Sequence, residues 1–500
     1  MARAALPAAA AVALLAAGCV VGPNYHRPDV EIPQSYKEDP NWQPAQPAET
    51  KLGGDWWTLF DDPQLSALEA QVSVSNQTLK ESQAEFDQAR AEVRYYRAGY
   101  FPTLSVAPEA DRNHVSQRKP EAGTSAGSTY SDFVLPFDVS WEPDVWGLVR
   151  RTVEAARANA QASAADLAAV QLSLEAELAV DYFQLRTLDA DAQLLDSTVD
   201  DYTKALQLTK NRHEGGVSSE VDVAEAETLL ETTRAQAQDV HVARAQFEHA
   251  IAVLIGKPPE EFSIAAEPLE VGPPAIPAAI PSQILERRPD VAAAEREVAA
   301  ANAGIGVAKA AYYPSIPLTA EGGFESGAIT TLINGPSSMW SVGASALETI
   351  FDAGRRRASN DQAWAVYDQS VATYRQSVLT AFQEVEDNLA ALRILEQEAA
   401  TQDAAVSAAQ HSVALSVNRY TGGVTDYLEV ITAESTALAD ERVAVDLRAR
   451  RMTAAVLLIK ALGGGWDASS LQTVASSSPP STSVPASPAP APSSPQKSSP

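Results

Sequence analysis

Asn211-Arg212-His213-Glu214-Gly215-Gly216-Val217 and Asn418-Arg419-Tyr420-Thr421-Gly422-Gly423-Val424 are two versions of one stretch, each lying between two long segments of helical pattern. Gly215 recurs as Gly422, 207 residues on; at the same offset Asp222 falls on Glu429, Ala226-Glu227 on Ala433-Glu434, Gly147 on Gly354, Arg150 on Arg357 and Gly256 on Gly463. One unit has been duplicated. Solenoid repeats run to about 50 residues, so this period implies two copies of a large supersecondary unit rather than a stack of small ones.

Upstream of the second turn, a 3-4 spacing joins Val371, Tyr374, Val378, Ala381, Val385, Asn388, Leu392, Leu395, Ala399, Gln402, Val406, Ala409, Val413, Ser416 and Tyr420. Shifted back by the repeat, the same register reads from Ala164 through Leu178, Leu185, Leu195, Tyr202 and Leu206 to His213, again mostly apolar. Both are long coiled-coil helices. Returning helices follow each turn, with Val223, Ala226, Leu230, Ala237, Val240, Phe247, Ile251 and Leu254 in one, and Leu428, Ile431, Leu438, Val445, Met452, Val456 and Ile459 in the other. A continuous helix from Gly147 to Arg212 reaches about 100 Å at about 1.5 Å per residue. No ordinary globular domain is that long.

At the turns, Gly215-Gly216 and Gly422-Gly423 supply the backbone freedom to adopt positive φ and reverse the chain. Ser219-x-x-Asp222 has the spacing of a capping box. Asp222, Asp426 and Glu429 all lie within about two helical turns of the reversals.

Before each long helix the period changes from helical to two. Phe133, Leu135, Phe137, Val139 and Trp141 are apolar with Asp138 and Ser140 between the last of them; in the other copy Ile316, Leu318, Ala320, Gly322 and Phe324 alternate with Thr319, Glu321 and Glu325, and Trp340, Val342, Ala344 and Ala346 return. Each half therefore carries one long hairpin with one apolar face, and Trp141, Trp146 and Trp340 near the strand ends suit an aromatic girdle. A soluble antiparallel sheet is the other reading of such strands. Four strands cannot close a transmembrane barrel, since the smallest have about eight; closure requires other chains. The polar connections Gly123 to Ser131 and Gly327 to Ser338 would be the exposed loops.

The amino terminus reads as a secretory leader: Met1-Ala2-Arg3, an apolar run from Ala8 to Ala17, and a small-residue cleavage site at Ala17-Gly18-Cys19. The run is too short to span a bilayer. Cys19 is the only cysteine, so one chain can build neither a disulfide framework nor a thiolate metal cluster. Ala16-Ala17-Gly18-Cys19 resembles a bacterial lipobox, with Leu15 one place early, and marks Cys19 as a lipid acceptor; the alternative is a cysteine without lipid. The formal charge of −28 becomes −29 once Arg3 leaves with the leader, which excludes nucleic acid as a partner and would favour cations in an enclosed pore.

The expected division is a signal peptide over 1–18, a lipidated Pro-rich arm over 19–62, a first repeat over 63–256 with its β-hairpin at 101–142, a Pro-rich connector wrapped outside over 257–281, a second repeat over 282–465 with its β-hairpin at 314–350, and a disordered Ser/Pro-rich tail over 466–500. Asp61-Asp62-Pro63 offers a helix start, and Gln64 to Arg97 continues without Gly or Pro.

Cys19 followed by Gly22-Pro23-x-Tyr25-x-Arg27-Pro28, the Trp141-Glu142-Pro143-Asp144-Val145-Trp146-Gly147 stretch, Phe351-Asp352-Ala353-Gly354-Arg355 and the paired Gly-Gly-Val turns together resemble the TolC/NodT-type outer-membrane efflux lipoproteins. The resemblance covers nearly the whole mature chain. It implies a mainly α fold with a membrane β part: a homotrimer giving four strands per chain to a twelve-stranded barrel in outer-membrane lipid, continued by a long α-helical barrel across the periplasm. It also implies a periplasmic adaptor and an inner-membrane pump as partners. Acidic selectivity rings and tip-locking contacts are implied at the positions matched by Asp222 and Glu429, and Arg212, Arg419 and Tyr420 are candidate partners in a closed-state lock. Thr425 and Thr432 stand where some relatives carry further charges, so the rings would be simpler here. The competing reading of these charges is helix capping, at a few tenths to about 1 kcal/mol each.

No catalytic, metal-binding or cofactor-binding constellation is present in the sequence: the six histidines are scattered, and there is no P-loop, His-Glu-x-x-His or dinucleotide glycine pattern. The expectation is a passive gated duct for drugs, solutes or metal ions. The alternatives are the outer-membrane duct of a type I protein-secretion system, and, in a different class, a trimeric coiled-coil adhesin, which has no reason to contain two matched hairpins.

Overall fold

The computed structural model describes residues 20–33, 35–38, 54–118, 127–269, 271–274, 276, 287–469 and 471. The leader, Cys19, most of the first strand loop, the end of the connector and most of the Ser/Pro-rich tail lie outside these residues.

Helix formation starts at the expected place. Asp62 accepts hydrogen bonds from the backbone N–H groups of Gln64 and Leu65, and Pro63, needing no intrahelical donor, occupies the first position of α1 (Pro63–Ser75). The helix does not run on to Arg97 unbroken. Asn76 ends it, accepting from the N–H of Leu79 at 3.0 Å to cap α2 (Gln77–Ala98) while its own amide donates to the carbonyl of Leu254 at 2.8 Å. A side chain that bonds its own backbone competes with helix propagation, which a search for Gly and Pro does not detect.

The first hairpin consists of β1 (Thr103–Val106) and β2 (Glu109–His114), two pieces of one outgoing strand interrupted at Ala107-Pro108, both antiparallel to β3 (Thr129–Trp141). The interruption breaks what the sequence presents as one strand, because Pro lacks the ladder N–H. The second hairpin pairs β4 (Leu318–Ser326) with β5 (Ser338–Ala344), and β3 also pairs with β4, so both hairpins form one sheet in the order β1/β2, β3, β4, β5.

The four long helices repeat without a slip. α3 (Leu148–Glu214) and α6 (Arg355–Thr421) have 67 residues each, and α4 (Glu220–Leu254) and α7 (Tyr427–Ala461) have 35 each. Every boundary in the second pair lies 207 residues after its counterpart. Of the nine buried residues of α6, only Phe382 falls outside the 3-4 register read from the sequence. α3 buries more of its circumference because α1, α2, the connector and α5 (Pro289–Ala310) also pack on it.

The central core gathers Trp56, Phe60, Leu65, Tyr182, Phe183, Ile251 and Ile459. The connector contributes to it: Ile264 and Leu269 are buried there, and Arg186 and Arg244 donate to connector carbonyls at Ala265 and Ile264 while sharing Asp189. Its described residues form only a short 3-10 turn at Pro259–Glu261, and they are anchored in the interior. Side-chain anchors spaced along a Pro-rich segment leave no periodicity in the sequence.

Among the described residues no helix is long and apolar enough to cross a membrane. The sheet is different. Alternation together with the register places Leu104, Phe133, Leu135, Phe137, Val139, Trp141, Leu318, Phe324, Trp340 and Val342 on one face, and Trp340 is 80 % exposed in the single chain.

Candidate functional site

The two helix reversals are built alike. In each, the second glycine has φ near +74° and the chain closes with paired bonds: Gly216 N–H to His213 O and Val217 N–H to Arg212 O, matched by Gly423 N–H to Tyr420 O and Val424 N–H to Arg419 O. This is a Schellman closure, whose geometry needs a left-handed residue at one position. Gly215 and Gly422 are right-handed, at φ −77° and −73°. The expected positive φ thus belongs only to the second glycine of each pair.

The turns come together at one end of the chain and hold each other. The Arg212 guanidinium lies 4.7 Å over the Tyr420 ring and donates to the carbonyl of Thr421 at 3.2 Å. The Tyr420 and Ser218 hydroxyls meet at 3.0 Å. Tyr420 is buried, in a cluster with Tyr202 and Leu206 of α3, Ala226 and Leu230 of α4, and Tyr427 and Val430 of α7. All four long helices therefore contribute to one tip core.

The acidic candidates take different positions. Asp222 completes a reciprocal capping box with Ser219, both bonds at 3.1 Å. Glu429 pairs with Arg419 at 2.8 Å and accepts from Thr425 at 2.5 Å. Asp426 is exposed at the start of α7 with no side-chain capping bond, and with Glu429 it lines a cleft of about 490 Å³ beside Ser412, Ser416 and Thr432. Within one chain, then, Arg212 and Tyr420 bridge the two turns, whereas Asp222 and the Arg419–Glu429 pair each remain within their own hairpin.

Above the tips the two helical hairpins meet along α3 and α7. Arg442 grips Asp191 through two bonds of 2.9 Å, and Gln184 reaches Thr453 at 3.4 Å nearer the core. Below Asp191 the contact is made by the buried Tyr202 and Tyr427, close enough to Glu434 of α7 for its charge to raise both phenols. One Glu434 oxygen is buried without a hydrogen-bond partner among the described residues, and burial, reinforced by Asp201, pushes its carboxyl up to about 7. Neither Glu434 nor the Asp191–Arg442 pair is singled out by the sequence, because partners some 230 to 250 residues apart on separate helices share no local pattern.

At the opposite end, the polar face of the sheet carries Glu109, Asp111, Asp132, Asp138, Glu321 and Glu325, with Asp111 opposite Asp132 and Asp138 opposite Glu321. Like charges paired across strands are unfavourable. Glu109, Asp111, Glu321 and Glu325 are exposed, so water screens much of the repulsion.

Sheet and helices join through aromatic contacts. Trp146 stacks on Tyr313 at 4.8 Å and donates to the carbonyl of Pro314 at 2.8 Å, tying the first repeat to the second. The amino-terminal arm begins here. Val21 N–H donates to Trp146 O, the buried Arg151 donates to Val21 O, and a side chain on Gly22 would stand 2.5 Å from the Gly306 backbone. Farther along, Tyr25 bonds Glu295, Arg27 donates to the Tyr374 hydroxyl at 3.0 Å, and the N–H groups of Lys37 and Glu38 both donate to Glu386. Cys19 lies outside the described residues, but its neighbour Val20 rests against Gly147 at the junction.

The family model described as outer membrane efflux protein matches twice, over residues 68–257 and 280–464. The chain is 33 % identical over 463 residues to a probable efflux pump outer membrane protein, TtgC, of Pseudomonas putida, covering 91 % of this chain and 95 % of TtgC. It is 30 % identical to the cation efflux system protein CusC of Escherichia coli, covering 91 % and 97 %. The solved outer-membrane channel OprN superposes with a TM-score of 0.83 at 30 % identity, over 90 % of this chain and all of that one. Two matched copies of one unit, long helices continuing from a sheet with one apolar face, and full-length similarity to such channels agree: the chain belongs to the outer membrane efflux protein family.

Proposed function

We propose that three copies of this chain enclose a passive, gated exit duct that crosses the outer membrane as a β-barrel and the periplasm as a helical barrel. A periplasmic adaptor and an inner-membrane pump would deliver small molecules or ions into it. The observation that carries the reading is the open sheet: one apolar face, one acidic face, and edges at β1/β2 and β5 that pair on one side only among the described residues. Unpaired edges and an exposed apolar face are stable in a bilayer only after closure. Three such sheets supply the strands that one lacks.

The acidic face would then line the pore. Cations would be favoured along it, and again at the far end if Asp222, Asp426 and Glu429 form rings of three. Arg212 and Tyr420 would hold each subunit's hairpins together when the mouth is shut. Lipid on Cys19 suits the position of Val20, beside the sheet end where the bilayer boundary would lie. The names of the relatives, efflux pump and cation efflux proteins, favour small cargo over secreted polypeptide.

The test is fractionation followed by reconstitution. The protein should be found in outer-membrane fractions as a heat-modifiable trimer and should conduct ions in a planar bilayer with cation preference; a monomer in the soluble fraction would contradict the reading.

A further inference from the structure

We propose that Glu434 is a proton-operated wedge between the two helical hairpins, so that the tip opens more readily when its carboxyl is ionised. The inference deepens the duct reading and rests on it for its consequence in transport. It comes from the position of Glu434: on α7 one turn beyond Val430, in the stretch between the Asp191–Arg442 grip and the Arg212–Tyr420 bridge. Any movement that parts the hairpins at the tip while the upper grip holds must open this stretch.

The surroundings favour the neutral acid. The Glu434 charge acts on Tyr202 of α3 and Tyr427 of α7, and both phenols are raised, first by burial and then by that charge. Asp201 on α3 adds a like charge. Lys204, one turn beyond Asp201 on α3, is held by it at 2.8 Å with both side chains about three-quarters exposed, and Arg212, farther along α3, lies over the Tyr420 ring. α4 contributes Ala226 and Leu230 to this packing, with its Arg234 bound to Glu231 at 2.6 Å; α6 contributes Tyr420, whose hydroxyl meets Ser218; and Glu441 of α7 acts on Tyr202. Among these groups no cation is bonded to Glu434.

The sign follows from linkage. A carboxyl that binds its proton more tightly with the hairpins together than apart favours the closed state while protonated. That advantage falls as pH rises from the ordinary carboxylate range to about 7 and is gone above it. In acid the wedge is neutral and the hairpins stay together. Near neutrality a charge appears in an apolar contact beside Asp201, and separation relieves it. For full solvation on opening, the open-to-closed ratio should rise on the order of tenfold between pH 5.5 and 7.5.

Two measurements test this on the intact trimer. Spin labels at Val217→Cys and Val424→Cys, exposed positions on the two turns, should show the intrachain distance broadening toward longer values from pH 5.5 to 7.5. Glu434→Gln should hold the short distance throughout, and Asp201→Asn should move the midpoint to lower pH. Bilayer conductance should follow the same profile. A Glu434→Gln trimer that keeps the wild-type pH response would overturn the proposal. Failure to conduct at any pH would count against the duct itself, while the distances would still decide the wedge.

Discussion

The Arg212 guanidinium lies 4.7 Å over the ring of Tyr420, 208 residues away in sequence, and joins the two helix reversals of one chain. A single contact thus spans the two halves of the duplication at the point farthest from the sheet. Its loss should be felt in opening rather than in folding.

Arg212→Ala removes this stacking and the bond to the Thr421 carbonyl, together about 1–2 kcal/mol per subunit at a partly exposed site. Single-channel recordings should show more frequent or longer openings, on the order of tenfold. Tyr420→Phe keeps the ring and removes only the hydroxyl contact with Ser218, so its effect should be smaller. Equal effects would mean that the hydroxyl, not the stacking, closes the tip.

Asp222→Ala and Glu429→Ala should both reduce cation preference in reversal-potential measurements. Asp222→Ala should also cost about 1 kcal/mol of local helix stability, because it dismantles the capping box with Ser219. Asp222→Ser separates the roles, retaining some capping capacity without the charge. Unchanged selectivity in all three variants would leave Asp222 as a cap and Glu429 as a partner of Arg419 and nothing more.

Arg442→Met leaves Asp191 almost fully buried without its cation. Removing one partner of such a pair costs more than replacing both, here about 1–3 kcal/mol after allowance for the partly exposed arginine. Thermal unfolding of the solubilised trimer should move to lower temperature, and Asp191→Leu combined with Arg442→Met should recover part of the loss. A double variant no better than the single would show that the pair is not coupled.

Glu69 of α1 is fully buried with no partner for either oxygen among the described residues, and burial beside Glu175 pushes its carboxyl up to about 10. The folded state keeps this proton while the unfolded state loses it above the ordinary carboxylate range. The Glu69 contribution to stability is therefore greatest in acid and is given up progressively as pH rises toward 10. Glu69→Met, similar in volume and without a charge, should raise the unfolding temperature at pH 8, by a stability gain on the order of 1–3 kcal/mol, and flatten its fall toward alkaline pH. A variant less stable than wild type at pH 8 would show that the carboxyl has a partner in the assembled trimer.

The sequence reveals whatever repeats or alternates. The 3-4 register through Tyr374, Val385, Leu395 and Tyr420 predicts the buried face of α6, and Gly147 and Gly354 fall at the left-handed N-caps of the two longest helices. The tip candidates are legible because glycine pairs and nearby charges stand out against a helical background. What escapes notice is contact between remote segments. Asp191 with Arg442, Glu434 among Tyr202 and Tyr427, and the buried Glu69 each appear in sequence as an ordinary charge on a helix, since burial is decided by a partner elsewhere in the chain. Asn76 hides for the opposite reason: its bond to its own backbone is local, but no simple breaker residue announces it.

The most direct test of a gated duct is to fasten its mouth. Val217→Cys and Val424→Cys, placed on the turns, should form disulfides between neighbouring subunits under oxidation. Efflux of a fluorescent pump substrate from cells should then stop, and reduction should restore it. Undiminished efflux from cells whose tips are shown by non-reducing electrophoresis to be fully tethered would contradict the account.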